Sequence, residues 1–160
     1  MPTTLFAATI YPDVTPGTKE KKKMDATIEF RHAFWKHYAE RHQDNPFASD
    51  FRDGWGFHTP WYWVEEAELN VKQWLGSSTV GVYVAGKDGE DKAEAEARLA
   101  TYRELFDAIT NNYHPPEAPP TALCANSIHL DGGTRDPKNW DRMADFMEEY
   151  RQKYEQILRS

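Results

Sequence analysis

Residues Phe47 to Trp63 hold seven aromatic rings in 17 positions, interleaved with Asp50, Arg52, Asp53 and His58. Rings arranged as a platform can stack on a base or sugar while neighbouring polar groups hydrogen-bond its edges. The same rings folded inward would anchor a long loop onto a core. Trp61 and Trp63 suit the inward role, and Trp55, between Gly54 and Gly56, suits the outward one. Asp50, Arg52, Asp53, Trp55, His58 and Trp61 are the candidate ligand or partner contacts.

Other chemistries find less support. Glu66 and Glu68, read as one face of a strand with Lys72 four residues beyond, form the best carboxylate pair for holding Mg²⁺ and polarising water. A solvated strand looks the same. Glu90-Asp91-Lys92 and Glu20-Lys21-Lys22 match a nuclease pattern in letters only. His32, His37 and His42 step by five, so each turns about 140° from the last on a helix and they cannot converge on one ion. His58, His114 and His129 fall on separate elements without a cysteine partner, so no metal site is assigned. Cys124 sits among Leu123, Ala125 and Ile128, the setting of an inert thiol. No nucleophile elbow, Walker loop or dinucleotide fingerprint occurs, so no cofactor and no catalytic residue is assigned. Asp131-Gly132-Gly133-Thr134 could nest an anion before a helix, but Asp131 would repel one.

The elements that must position these groups can be read along the chain. Residues 4–11 suit a strand ended by Pro12-Asp13, and 14–24, with the lysine run 19–23, suit a solvated loop. Asp25 can cap a helix over about 26–43 with a stripe through Ile28, Phe34 or Trp35, and Tyr38. Residues 46–61 have no clean period. Tyr62 to Gln73 becomes alternating, with Ala67, Leu69 and Val71 inside and Glu66, Glu68, Asn70 and Lys72 wet. Gly76-Ser77-Ser78 turns it into a second strand, Thr79 to Ala85. Residues 90–110 predict one helix with Leu99, Tyr102, Phe106 and Ile109 on its stripe, widened by Leu105. The four prolines of 111–120 predict irregular backbone, and Ala122 to Leu130 a further strand. Asp136-Pro137 opens a last helix.

The order β-α-β-β-α-β-α predicts a single α+β domain over residues 1–160, with a ferredoxin-like core and an added C-terminal helix. If the first strand is peripheral and 46–66 supplies one, the core reads α-β-β-β-α-β, the order of restriction-endonuclease-like domains. Trp140, Met143, Met147, Tyr150, Tyr154 and Ile157 step 3, 4, 3, 4, 3 along the last helix. They form a seam that either docks on its own sheet or overhangs toward a partner or a homodimer mate. Tyr150 and Tyr154 are its candidate partner contacts, with Asp141, Arg142, Asp145, Glu148, Glu149, Arg151 and Lys153 facing water.

Composition narrows the function classes. The 160 residues carry 19 basic and 26 acidic side chains, a net charge of −7, which disfavours nonspecific nucleic-acid binding. No apolar run approaches the length needed to cross a bilayer, and no signal-peptide pattern opens the chain. One cysteine excludes an internal disulfide and suits the reducing cytoplasm.

Phe34-Trp35, the hairpin strand Val80-Gly81-Val82-Tyr83-Val84, and Ser127-Ile128-His129-Leu130 followed by Trp140 together resemble an uncharacterised bacterial domain family often fused to nuclease-like domains. The resemblance spans roughly residues 28 to 158. It implies a bacterial or phage setting of DNA restriction and defence, and no catalytic residue carries over. That family has an Arg-Ile pair in its last strand where Ser127-Ile128 stands here. The expected function is a non-enzymatic protein-interaction domain, such as a regulator, inhibitor or immunity-type protein. The alternative is an enzyme acting on nucleic acid or a nucleotide through the aromatic loop 47–63.

Overall fold

Valines at 80, 82 and 84 with Gly81 and Tyr83 between them can bury both faces of a strand only if something covers each face. The computed structural model, which describes residues 19–52, 60–111 and 113–160, supplies both covers. Contacts gather into two compact units, residues 1–58 and 59–160. The expected strand at 4–11 lies outside the described residues.

The first unit contains helix α1 (Lys19–Arg41) and the short helix α2 (Ala48–Arg52). Helix α1 starts earlier than the sequence suggests. Lysines are good helix formers and nothing between 19 and 25 breaks the backbone pattern, so Asp25 lies within the helix. The helix ends at Arg41, and the Asn45 side chain accepts from the Phe47 amide at 2.8 Å. The five residues that follow, expected to be irregular, form α2 because Phe47 and Phe51 recur at helical spacing. Phe51 stacks on Trp35 with centroids 5.1 Å apart, and Tyr38 meets it edge-on at 6.1 Å. Phe34, Trp35, Tyr38 and Phe51 are all buried.

The second unit is a four-stranded antiparallel sheet in sequence order: β1 (Trp61–Val64), β2 (Leu69–Leu75), β3 (Thr79–Ala85) and β4 (Leu123–His129). The helical passage between β3 and β4 returns β4 antiparallel beside β3. With a C-terminal helix, this is an α+β fold in the order α-β-β-β-α-β-α among the described residues.

Three local expectations are corrected. The single strand over 62–73 is two strands, joined by a turn at 65–68 in which Glu68 takes a φ of 51°. No glycine, proline or asparagine marks that turn. It is held from outside, by the Arg98 guanidinium donating to the Glu68 carbonyl at 2.8 and 3.2 Å. The face of β2 expected to be wet is largely covered: Asn70 and Trp74 are buried and Lys72 is half-buried. The helix over 90–110 divides into α3 (Lys92–Leu99), a 3-10 turn at Ala100–Tyr102, and α4 (Arg103–Asp107), and Leu105 is exposed.

Helix α5 (Trp140–Leu158) follows a 3-10 turn at Pro137–Asn139 that Asp136 caps by accepting from Lys138. It packs on β1, β2, β3 and α4. Its buried face is Met143, Ala144, Met147, Glu148, Arg151, Tyr154, Glu155 and Leu158. That face is rotated from the expected seam, because a 3-4-3-4 spacing drifts by about 20° per heptad on a straight helix. Trp140, Tyr150 and Ile157 fall to its flank, half-buried. Glu148 and Arg151, expected at the water face, are inside. Arg151 donates to Glu148 and, at 2.6 Å, to Glu155, and its guanidinium lies 5.0 Å above the Tyr62 ring. Arg159 answers the second oxygen of Glu155 at 2.9 Å. Burial works against the Arg151 charge, yet the two carboxylates hold its pKa above the usual arginine range.

Strand β4 carries a bulge. Val82 pairs with Asn126 and Val84 with Leu123, so one extra residue is accommodated where Cys124 sits at a φ of 50°. The Leu130 amide donates inward to Ser78, so the Ser127 carbonyl points away from β3. The Asn111 side-chain amide takes that carbonyl at 2.6 Å.

Candidate functional site

Period-2 alternation gives the sheet two faces. Helix α5 covers the one built from Tyr62, Val71, Gln73, Val82 and their neighbours, and Gln73 donates to the Met147 carbonyl at 3.1 Å. The opposite face carries Trp61 and Trp63 on β1, Lys72 and Trp74 on β2, and Gly81, Tyr83 and Ala85 on β3. The proline-bearing segment after Tyr113 covers part of this face, with Ala118 and Ala122 packed on Trp74, Tyr83 and Ala125. Trp74 lies so close over Gly81 that a Cβ there would fall within the ring, and its indole N–H donates to Thr79 at 3.1 Å.

One carboxylate fastens the covering segment. Glu117 accepts from the amides of Ser77 at 2.8 Å, Ser78 at 3.1 Å and Thr79 at 2.9 Å. It also accepts from all three hydroxyls of those residues, Thr79 at 2.6 Å. Burial raises the Glu117 pKa, but the hydroxyls and amides outweigh it and leave the group lowered to about 2. The Asp131–Thr134 turn considered as an anion nest is instead filled from within. The Gly133 and Thr134 amides, which an anion would need, donate to the Leu130 and Ser77 carbonyls at 3.0 and 2.9 Å, and the buried Thr134 hydroxyl donates to Gly76.

Beside this face lies a cleft of about 140 Å³. Lys72, Lys87 and Lys92 line it with Asp88, Glu90, Gly86, Gly89 and Thr121. Glu90 is committed elsewhere: Arg98 donates to both its oxygens at 2.6 Å. That pair, with the Lys87 amide, lowers the Glu90 carboxyl to about 2. The lysines are held less firmly. Lys72 lies 3.3 Å from Asp88, whose side chain is 95% exposed, and Lys87 lies 3.7 Å from Glu68. Lys92 donates to the Pro120 carbonyl at 3.4 Å. Trp61 is the cross-strand partner of Lys72, and Lys87 stands 5.8 Å above the Trp63 ring. Both indoles are half-buried rather than enclosed, and Trp63 donates to Glu65 at 2.6 Å.

The sequence-derived candidates are scattered. Asp50 is exposed on α2 and Arg52 closes that helix, both in the first unit. Asp53, Trp55 and His58 lie outside the described residues. Trp61 stands half-buried on the sheet face opposite α5. Tyr150 is half-buried, its ring tilted against Phe146 with centroids 4.9 Å apart and lying under the Lys153 ammonium. Tyr154 is fully buried and donates to the Cys124 carbonyl, so it is a core residue and not a surface contact. Glu66 and Glu68 sit in the 65–68 turn, facing Arg159 at 3.8 Å and Lys87 respectively. Cys124 is half-buried with Arg103 donating to its sulfur at 3.4 Å; burial pushes the thiol up and Arg103 only partly offsets that. Among the described residues no group of three His, Cys, Asp or Glu could hold a metal ion, and no helix is long and apolar enough to cross a membrane.

Sequence reasoning missed the lysine cleft and the Glu117 clasp. A run of three hydroxyl residues at a hairpin turn needs an acceptor, and Glu117 is the one carboxylate between Asp107 and Asp131. That pairing was available as a signal. No family model matches the chain, and no curated protein or solved structure matches it significantly.

Proposed function

We propose that the chain is a non-enzymatic binding domain that engages a protein partner through the β1 end of the sheet face opposite α5. The observation that carries this reading is the pair of half-exposed indoles, Trp61 and Trp63, side by side on edge strand β1. Tryptophan is enriched among residues that dominate interface energy, because a large rigid ring buries much area at little entropic cost. The ionisable groups described around that face support a binding role over acid–base chemistry. Glu90 and Glu117 are held near 2 and Tyr83 is pushed up to about 12 by burial, then Asp88, whereas a general acid or base works best near the operating pH. The defence setting implied by the sequence resemblance would supply a partner of this kind.

The test uses the whole chain and a Trp61→Ala/Trp63→Ala double variant as paired baits. A polypeptide retained by the first is purified and titrated against both. The expected result is binding at least about tenfold weaker to the double variant, with its circular dichroism unchanged. Equal affinity for both baits would overturn the reading. So would turnover of DNA, RNA or nucleotides by the purified chain with Mg²⁺ or Mn²⁺.

A further inference from the structure

The cleft between the end of the β2–β3 hairpin and α3 supports an assignment of its own. We infer that it binds a phosphate monoester, with Lys72, Lys87 and Lys92 as the cationic contacts. The inference rests on the lysines and so stands apart from the partner reading, which rests on the indoles.

The lining holds three ammonium groups and two carboxylates. Glu90 is neutralised by the two-point contact with Arg98. Asp91, next in the chain, is spent capping α3, where it accepts from the Ala93 amide at 3.1 Å. Of the lining groups and the carboxylates paired with them, that leaves three lysines against Asp88 and Glu68, both more than half exposed, in a chain whose net charge is −7. A compact dianion presents several oxygens to three ammonium groups at once and can displace both surface carboxylates.

Surface ion pairs at these distances contribute little and exchange readily with water. Lys72 meets only a carboxylate almost wholly in solvent, and Lys87 meets Glu68 at a distance beyond a good hydrogen bond. Lys92 reaches a backbone carbonyl at 3.4 Å. The stem of Lys72 is pinned between β1 and β3 neighbours, and its side chain is 23% exposed, so its ammonium group is offered from a fixed base. Gly86 and Gly89 line the wall without side chains, and Gly89 has a φ of 81° that favours glycine. A volume of about 140 Å³ is room enough for a phosphate group, and Lys87, 5.8 Å from the Trp63 ring, puts that indole beside the esterified group.

The test titrates the whole chain with inorganic phosphate, O-phosphoserine and adenosine 5′-monophosphate at constant ionic strength, read by calorimetry and by ³¹P chemical shift. Saturable binding is expected in each arm. The two ester arms separate the sources: tighter adenosine 5′-monophosphate, with the gain lost in Trp63→Leu, assigns a nucleotide-type ester, and tighter O-phosphoserine assigns a modified side chain. Lys72→Met and Lys92→Gln should each weaken binding about tenfold, and Lys138→Gln, at the other end of the unit, should not. Asp88→Asn should tighten it several-fold, a gain that misfolding cannot imitate. No saturable binding, or equal affinities in wild type, the two cleft-lysine variants and the Lys138 control, overturns the inference. An Asp88→Asn variant that binds no tighter also counts against it.

Discussion

Glu117→Gln isolates the clasp that holds the proline-bearing segment on the sheet. Glutamine keeps the length and shape of the side chain, but one of its two acceptors becomes an NH₂ group facing hydroxyls and amides. The carboxyl is depressed from an ordinary 4.5 to about 2 in the folded chain. A depression of that size sets a ceiling of about 3 kcal/mol on the charge-dependent part of the clasp. Partial exposure and solvent screening bring the expected loss nearer to 2 kcal/mol. In a unit of this size such a loss lowers Tm by roughly 8–16 °C. The sign follows from the direction of the shift. A depressed carboxyl stabilises the fold fully above its unfolded value of 4.5 and loses that contribution as pH falls through about 2. Urea denaturation of wild type and variant across this window is the assay. The difference between them should be full at neutral pH and should shrink toward zero near pH 2, because the other carboxylates titrate alike in both proteins. A gap that persists unchanged on acidification, or no gap at neutral pH, would refute the assignment of the stabilisation to the Glu117 charge.

Gly81→Ala should cost about 1–3 kcal/mol by forcing the Trp74 ring off the strand, and combining it with Trp74→Leu should cost less than the two changes summed, as read from denaturant midpoints. Arg151→Met should cost about 3–5 kcal/mol, because it leaves Glu148 and Glu155 buried without their shared cation; a loss under about 1 kcal/mol would contradict the buried cluster. Removing residues 150–160 should unfold the second unit, since Arg151, Tyr154 and Leu158 are all inside, and a truncated chain with an unchanged melt would contradict docking of the far half of α5. Cys124 should react slowly with thiol reagents in the native state and fully after denaturation, because burial raises its thiol and outweighs Arg103.

The hairpin at Gly76–Ser78, the strand through residues 122–130 and the Asp136 cap were legible because each is dictated by neighbours in sequence: alternation, turn residues, a cap followed by proline. The 65–68 turn was not, because its left-handed Glu68 is held by Arg98 thirty residues away. The burial of Asn70 and Trp74 was equally hidden, since the cover on that face is a stretch of prolines with no period. On α5 the apolar spacing located the helix but not its azimuth. A buried Glu–Arg–Glu cluster counts as water-facing in any reading by residue type, and only its tertiary pairing moves it inside. Of the candidate site, Trp61 was found by its ring. The lysines that share its face come from β2, the loop after β3 and α3, and nothing in their spacing along the chain announces that they meet.

The bulge at Cys124 and the Asn111 amide on the outward Ser127 carbonyl have a consequence for how the sheet ends. A sheet edge with free alternating carbonyls and amides is a template on which another extended chain can grow, the first step toward fibres. Along β4 that template is interrupted twice. The bulge breaks the regular repeat of outward groups, and a side chain of the same molecule already occupies an acceptor in the middle of the strand. Propagation of the ladder past β4 would require expelling Asn111 and flattening a kinked strand together. Growth is therefore terminated from within the fold, without lysine or proline standing on β4 as a gatekeeper.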